Sequence, residues 1–308
     1  MKKLKISQLE IKTVNLIKKI HNQVLKHIHT IPSIQKRGEC VYQEALQQHL
    51  INLPILSPVD LKLVEALKNE GVAITSLEEL VIASSSNMLA ATKKIMPLIP
   101  CAVKRNEYVV HATNEQMMEY PEIFLWGLER RILNIAETYF GLPVAYHGAY
   151  LRRDIANNVQ RKSRLWHMDT EDRQVLKAII YLHDVNEQQG PFQYIPMAVT
   201  QKLVQTLKYK QGYIQDSVMQ HTASLSDCKS CLGVVGTVIF AATGSIFHRG
   251  KIPVASDRLA LFFDYTSRLP KYPFFNHYSL PQEYLLSLSK KITKHQLKSL
   301  LWQDYHVK

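Results

Sequence analysis

The sequence is poor in cysteine and has no long apolar run. Its 308 residues include only four cysteines, Cys40, Cys101, Cys228 and Cys231, which are too few and too scattered for the disulfide framework of a small secreted protein. No stretch approaches twenty consecutive apolar residues, and the N-terminal MKKLK leads into a charged segment instead of a signal-peptide core. The sequence therefore predicts a soluble, cytoplasmic protein without a transmembrane segment.

Cys228 and Cys231 form a single C-x-x-C pair. A zinc or redox role would require further ligands or a βαβ setting, and the sequence indicates neither. We interpret the pair as two reduced loop thiols.

The net charge of +12 lies at the two ends of the chain. Residues 1–37 contain nine Lys or Arg against Glu10, and residues 290–308 contain five Lys against Asp304, so residues 38–289 carry 24 charges of each sign. Such ends suit nucleic acid, an anionic membrane surface or a protein partner. The alternative, which we favour, is a lysine-rich solvated helix face.

The pattern along the chain predicts helices around one β-rich core. Helix signals are the Ser7-x-x-Glu10 capping box, with apolar residues recurring from Ile6 to Ile28, a helix opened by Ser57-Pro58 and closed by Gly71, the Ser76-x-x-Glu79 box, and a helix from about Pro121 to Tyr139. From Leu142 the chain changes to short β-branched and aromatic runs, and from Pro281 it is helical again. We expect a mainly helical region over 1–140, a core over 141–270 and a helical tail over 271–308.

Two histidines and an aspartate have the pattern of an iron site. Trp166-His167-Met168-Asp169 places a histidine and a carboxylate on one face of a strand, and His248 follows on a second β-rich segment. Two imidazoles and one carboxylate suit Fe(II) and leave three positions open. A keto acid can occupy two of these and O2 the third, so the sequence predicts an oxygenase.

Arg258 lies ten residues beyond His248, at the start of the next expected strand. Its planar guanidinium is suited to hold the far carboxylate of 2-oxoglutarate through two parallel hydrogen bonds.

These motifs, together with Gly190-Pro191-Phe192-Gln193-Tyr194-Ile195-Pro196, resemble the phytanoyl-CoA dioxygenase-like branch of the Fe(II)- and 2-oxoglutarate-dependent oxygenases over about residues 142–268. The resemblance implies an α+β fold with a double-stranded β-helix (jelly-roll, cupin-like) core and flanking helices. It also implies iron held by His167, Asp169 and His248, and 2-oxoglutarate held by Arg258. Where the family has Pro-Gly-Ser-His, this chain has Pro196-Met197-Ala198-Val199, so the resemblance does not specify the substrate.

Other candidate residues are less specific. Val175, Lys177, Ile179 and Tyr181 share one strand face, and Tyr181 would contact either the keto acid or another polar partner. His183-Asp184 is interpreted as a strand end, because adjacent strand residues face opposite ways. A basic cluster, which suits either an anionic substrate or solvent, is expected in a loop before the iron motif: Arg152, Arg153, Arg161, Lys162 and Arg164.

The expected activity is hydroxylation of an unactivated C–H bond of a small molecule, either neutral or anionic, with release of succinate and CO2. In related halogenases a small residue replaces the carboxylate ligand, so Asp169 favours hydroxylation, with desaturation and cyclisation left open. Two alternatives remain: an oxygenase that acts on a macromolecule held by the basic ends, and a non-catalytic binding protein on the same barrel.

Overall fold

The computed structural model describes residues 20–22, 24–25, 27–101, 106–272 and 278–305. The Ser7-x-x-Glu10 capping box and most of the helix expected from Ile6 to Ile28 lie outside the described residues. The described residues between 20 and 29 are helical, and Ile20, Val24 and Ile28 are exposed on them.

Two antiparallel sheets form the centre of the protein. The strands are β1 (Val72–Ser76), β2 (Val109–His111), β3 (Val144–Asp154), β4 (Leu176–Tyr181), β5 (Phe192–Tyr194), β6 (Lys229–Cys231), β7 (Thr237–Ala241), β8 (His248–Gly250) and β9 (Arg258–Ser267). The larger sheet has the order β1-β7-β4-β9-β3-β2, and the smaller sheet has the order β6-β5-β8. Strands far apart in the sequence are therefore neighbours in both sheets.

Helices precede, interrupt and follow the strands. They are α1 (Pro32–His49), α2 (Pro58–Asn69), α3 (Leu77–Leu80), α4 (Ser85–Ile95), α5 (Asn114–Glu119), α6 (Pro121–Trp126), α7 (Arg130–Phe140), α8 (Met197–Thr206), α9 (Asp216–Thr222), α10 (Gln282–Leu288) and α11 (Lys294–Leu300). Among the described residues, no helix is both long and apolar enough to cross a membrane.

The predicted caps of α2 and α3 are confirmed. The Ser57 side chain accepts a hydrogen bond from the Asp60 N–H at 3.1 Å, and the Ser76 side chain accepts one from the Glu79 N–H at 3.0 Å. Each bond satisfies a backbone donor that has no partner within its own helix.

The prediction of a single helix from Pro121 to Tyr139 is wrong. This segment forms two helices, α6 and α7, which are separated at Gly127. A Cβ at Gly127 would lie 2.5 Å from the Tyr146 hydroxyl and 2.7 Å from the Phe263 ring. The Gly127 carbonyl also accepts a hydrogen bond from the Tyr265 hydroxyl at 2.8 Å. The interruption therefore brings the backbone against the aromatic face of the sheet.

Alternation along β4 separates two apolar layers. Ala178 and Ile180 pack towards the helices, in a cluster that includes Trp126 and Ile132. Ile179 and Tyr181 face the smaller sheet and share a second cluster with residues of β5, β6, β7 and β9. Because strand side chains point alternately to opposite faces, the residues that face the smaller sheet surround the space where the predicted site lies.

Candidate metal centre

The structure brings His167, Asp169 and His248 together. Their potential ligand atoms all lie within 4.8 Å of one another. The Nε2 atoms of His167 and His248 are 3.8 Å and 3.9 Å from Asp169 Oδ1. These separations are too long for hydrogen bonds, so the three groups converge on one space without satisfying each other.

Backbone pairing positions the two histidines. The His167 N–H donates to the His248 carbonyl at 3.1 Å, and the His248 N–H donates to the His167 carbonyl at 2.9 Å. The expectation that His167 and Asp169 share a regular strand is corrected here, because His167 belongs to an isolated bridge and Asp169 follows it. The Asp169 N–H instead donates to the Thr243 carbonyl at 3.0 Å, which turns its carboxylate towards the histidines.

Both imidazoles present Nε2 to the shared space. His167 Nδ1 is 2.9 Å from the Leu165 carbonyl, and His248 Nδ1 is 3.3 Å from the Ile246 carbonyl. Since a carbonyl only accepts hydrogen bonds, each Nδ1 carries the proton and each Nε2 keeps a lone pair. Burial lowers the pKa of His167 and lowers the pKa of His248 to about 3, so both rings are neutral and able to bind a metal near neutral pH.

Asp169 is ionised and has a cationic neighbour. Burial alone would raise the pKa of Asp169, but the Lys177 ammonium beside it holds that pKa well below its usual range. Lys177 Nζ lies 2.9 Å from Asp169 Oδ2. The sequence pattern placed Lys177 on one strand face with Ile179 and Tyr181 but did not predict its pairing with Asp169.

Arg258 lies in the same interior space as His248. It begins β9 and is 2% exposed, and a Cβ at Gly250 would lie 3.0 Å from Arg258 Nη2. Gly250 shares a strand face with His248, because the two are separated by one residue on β8. The glycine therefore leaves space for the guanidinium on the strand face that His248 shares.

Asp154 is a buried partner of Arg258 that the sequence did not reveal. Arg258 Nη2 donates to Asp154 Oδ2 at 2.7 Å, while Arg258 Nη1 donates to the Gly190 carbonyl. Arg152 Nε also donates to Asp154 Oδ2, at 2.8 Å. Burial would raise the pKa of Asp154, but the two guanidinium groups hold that pKa well below its usual range. Arg258 Nε is buried and has no hydrogen-bond partner among the residues that the structure describes.

Tyr181 faces inward but is bound to backbone groups. Its hydroxyl donates to the Cys231 carbonyl at 2.8 Å and accepts from the Phe192 N–H at 3.0 Å. These contacts link β4 to the smaller sheet, and contact between Tyr181 and a keto acid stays a prediction.

The basic cluster expected in a loop is not one surface. Arg152 and Arg153 belong to β3, which corrects their placement in a loop, and Arg164 is buried with its guanidinium hydrogen-bonded to backbone carbonyls. Arg161 and Lys162 are exposed. The guanidinium groups of Arg152, Arg153 and Arg164 already have partners within the protein, so the five basic residues do not form a single anion site.

His183-Asp184 follows β4, as expected for a strand end. His183 Nε2 accepts from the Leu259 N–H at 3.0 Å, and Asp184 Oδ1 accepts from the Val235 N–H at 2.9 Å. All four cysteines are free, and Cys231 is buried on β6.

A cavity of about 340 Å³ opens beside Asp169. Its lining includes the apolar Met168, the aromatic Tyr209 and the cationic Arg173, Lys210 and Lys271. Another cavity, of about 380 Å³, is lined by residues of β1, α4 and the β6–β7 turn and includes none of the predicted site residues. Of these two cavities, the one beside Asp169 borders the candidate metal centre.

Comparisons with known proteins do not assign a family. No family model matches the chain, and no curated protein matches it. Solved structures that are similar to it include the non-heme alpha ketoglutarate dependent epimerase SnoN from nogalamycin biosynthesis, with 12% identity over 68% of this chain and 83% of that chain and a TM-score of 0.47. HygX from Streptomyces hygroscopicus, solved with nickel, 2-oxoglutarate and hygromycin B, has 13% identity over 69% and 88% of the two chains and a TM-score of 0.46. EctD from S. alaskensis, solved with 2-oxoglutarate and 5-hydroxyectoine, has 17% identity over 69% of this chain and 76% of the EctD chain, with a TM-score of 0.46. Similarity at this level carries no functional argument.

Proposed function

We propose that this protein is an Fe(II)- and 2-oxoglutarate-dependent oxygenase that hydroxylates a C–H bond of a small molecule. The observation that carries the proposal is the convergence of two neutral imidazoles and one ionised carboxylate, with ligand atoms within 4.8 Å of one another. This donor set suits Fe(II) and leaves coordination positions for co-substrates. When bound, iron, 2-oxoglutarate and O2 supply the oxidising chemistry that inserts oxygen and releases succinate and CO2.

The unpartnered Nε of Arg258 fits a bound dicarboxylate. A buried N–H without a partner is costly, and a carboxylate placed against the guanidinium would satisfy it. Asp154 and the Gly190 carbonyl fix the other two nitrogens, so the guanidinium is held in place before the ligand arrives. Arg258 would orient the far carboxylate, while His167, Asp169 and His248 hold the iron.

The apolar side of the site would exclude water. The Phe192 ring stacks on the His248 imidazole with 5.6 Å between ring centroids, and Phe192 shares its buried cluster with Ile179 and Phe262. These side chains leave little polar surface around the histidine, so the reaction would proceed away from bulk solvent.

The strand order supports a double-stranded β-helix as the core. Strands β7, β4, β9 and β3 form one antiparallel layer, and the His167 bridge, β8, β5 and β6 form the other. We propose that residues 141–270 form this core, that the described parts of the regions 1–140 and 271–308 pack around it, and that the protein belongs to the phytanoyl-CoA dioxygenase-like branch. The four free cysteines agree with a cytoplasmic location.

The substrate side is proposed to be the cavity beside Asp169. Its volume of about 340 Å³ suits a small molecule, and Lys210 and Lys271 at its border suit an anionic group, whereas Arg173 is paired with Glu39 at 3.0 Å. Asp169 occupies the position that a halide would need, which favours hydroxylation over halogenation.

The test is succinate release from 2-oxoglutarate with Fe(II) and O2, screened over metabolite mixtures. We expect some mixtures to stimulate release by the wild type but not by His248→Ala. Equal turnover by the two proteins would refute the metal assignment. Failure of the wild type to bind either Fe(II) or 2-oxoglutarate would instead favour a binding protein on the same barrel.

The charge at the chain ends favours one further candidate, an oxygenase that acts on nucleic acid. Each phosphate contact adds nearly one unit to the slope of log affinity against log salt. For a small-molecule substrate we predict an affinity change below about threefold between low and physiological salt. A steep salt dependence, together with succinate release stimulated by DNA or RNA, would favour the nucleic-acid substrate.

A further inference from the structure

Lys177 lies closest to one of the two oxygens of Asp169, and the two histidines lie closest to the other. Lys177 Nζ is 2.9 Å from Asp169 Oδ2, whereas Asp169 Oδ1 faces the two histidine Nε2 atoms at 3.8 Å and 3.9 Å. The side chains of Lys177 and Asp169 are 19% and 9% exposed. Lys177 Nζ and Asp169 Oδ2 are at the distance of an ion pair, but their angles are not those of a hydrogen bond. The interaction between them is therefore electrostatic, and it lies where little water reaches the two side chains.

Lys177 pairs with Asp169 and not with the acidic residue opposite it on the neighbouring strand. Asp264 is the cross-strand neighbour of Lys177 on β9, yet among the described residues the ion pair of Lys177 is with Asp169. The lysine therefore crosses from the strand to the segment that carries the metal ligands. An ion pair at this degree of burial is screened less than one at the surface.

We propose that Lys177 is a positioning residue that reserves Asp169 Oδ2, so that Asp169 binds the metal through Oδ1 alone. This inference rests on the proposed metal centre. In an octahedral site, two histidines and a carboxylate bound through one oxygen leave three positions, whereas a carboxylate bound through both oxygens leaves two. The co-substrates 2-oxoglutarate and O2 together need three. Lys177 would thus maintain the number of positions that the reaction requires.

The experiment counts the water molecules bound to Mn(II) in the site in place of Fe(II). Mn(II) is titrated into the wild type, Lys177→Met, Lys177→Arg and a matched control, Lys229→Met, and coordinated water is measured by paramagnetic relaxation of water protons. Lys229 pairs with Glu70 at 3.0 Å on the surface, where both side chains are about half exposed. Crystal structures of the Ni(II)-loaded proteins give the carboxylate binding mode directly.

We expect about three waters in the wild type and in the control, and about two in Lys177→Met, where the freed Oδ2 joins the coordination sphere. Lys177→Arg should restore the wild-type number, since it retains a cation at this position. An unchanged number in Lys177→Met, or Asp169 bound through both oxygens in the wild type, would overturn the proposal.

Failure of the metal centre itself gives a different result. If His248→Ala bound Mn(II) as tightly as the wild type, the metal would lie elsewhere, and both the proposed function and this inference would be refuted. If His248→Ala lost binding but the water numbers did not depend on Lys177, only the role of Lys177 would be refuted. Should Lys177→Met fail to fold, the wild-type Ni(II) structure still decides, because it shows which oxygens of Asp169 bind the metal.

Discussion

Replacement of Arg258 by alanine should reduce both stability and 2-oxoglutarate binding. Arg258 is 2% exposed and forms a 2.7 Å ion pair with Asp154, which is itself 1% exposed. Removal of one partner from a buried ion pair costs about 3–5 kcal/mol, because the other charge is left unpaired. Asp154 keeps Arg152 as a partner at 2.8 Å, so we expect a smaller loss of about 2–3 kcal/mol in the free energy of unfolding.

The effect on 2-oxoglutarate has a separate cause. Loss of a charge-assisted pair to the far carboxylate should cost on the order of 2–4 kcal/mol, or roughly thirty- to a thousand-fold in affinity. Arg258→Lys should recover only part of this, because an ammonium lacks the planar fork of a guanidinium.

Two measurements separate these effects. Urea unfolding of the metal-free protein gives the free energy of unfolding, and calorimetric titration of 2-oxoglutarate into the Ni(II) protein gives affinity without turnover. Arg153→Ala is the matched control, because Arg153 is on the same strand as Asp154 and pairs with Asp257 at 3.2 Å. If Arg258→Ala bound 2-oxoglutarate like the wild type, the clamp assignment would be wrong, and Arg152 and Lys177 would become the candidates.

Three further predictions concern single residues. His248→Ala should abolish tight Fe(II) binding while circular dichroism shows the fold retained; full binding would disprove the ligand assignment. Burial raises the pKa of Asp264 to about 6, so the folded state holds its proton longer than the unfolded state, and stability falls as pH rises from about 4 to 6. Asp264→Asn should therefore raise the free energy of unfolding by about 2–3 kcal/mol at pH 8 and leave it unchanged near pH 3; an equal effect at both pH values in urea unfolding would contradict this. Gly250→Ala should displace the Arg258 guanidinium, since the added Cβ would lie 3.0 Å from Arg258 Nη2. We expect 2-oxoglutarate affinity to fall several-fold in the same calorimetric titration. Wild-type affinity would show that the guanidinium adjusts freely.

Helix boundaries followed the sequence where local chemistry sets them. The Ser57 and Ser76 caps depend on a side chain and a backbone N–H three residues apart, so neighbouring residues suffice to predict them. The interruption at Gly127 depends on Tyr146 and Phe263, which approach from the sheet. Helices α8 and α9 also escaped prediction, because their buried residues Leu203 and Met219 pack against Trp166 and Phe247 from distant segments.

The candidate site also has features that the sequence alone predicts and features that depend on the tertiary structure. The sequence alone was enough to predict His167, Asp169, His248 and Arg258 as site residues, because metal ligands and a carboxylate clamp require particular residue types in a recognisable order. Only the tertiary structure paired Lys177 with Asp169 and Arg258 with Asp154. Those pairs join residues from different segments, and they form because strand register and burial bring opposite charges together where water cannot solvate them.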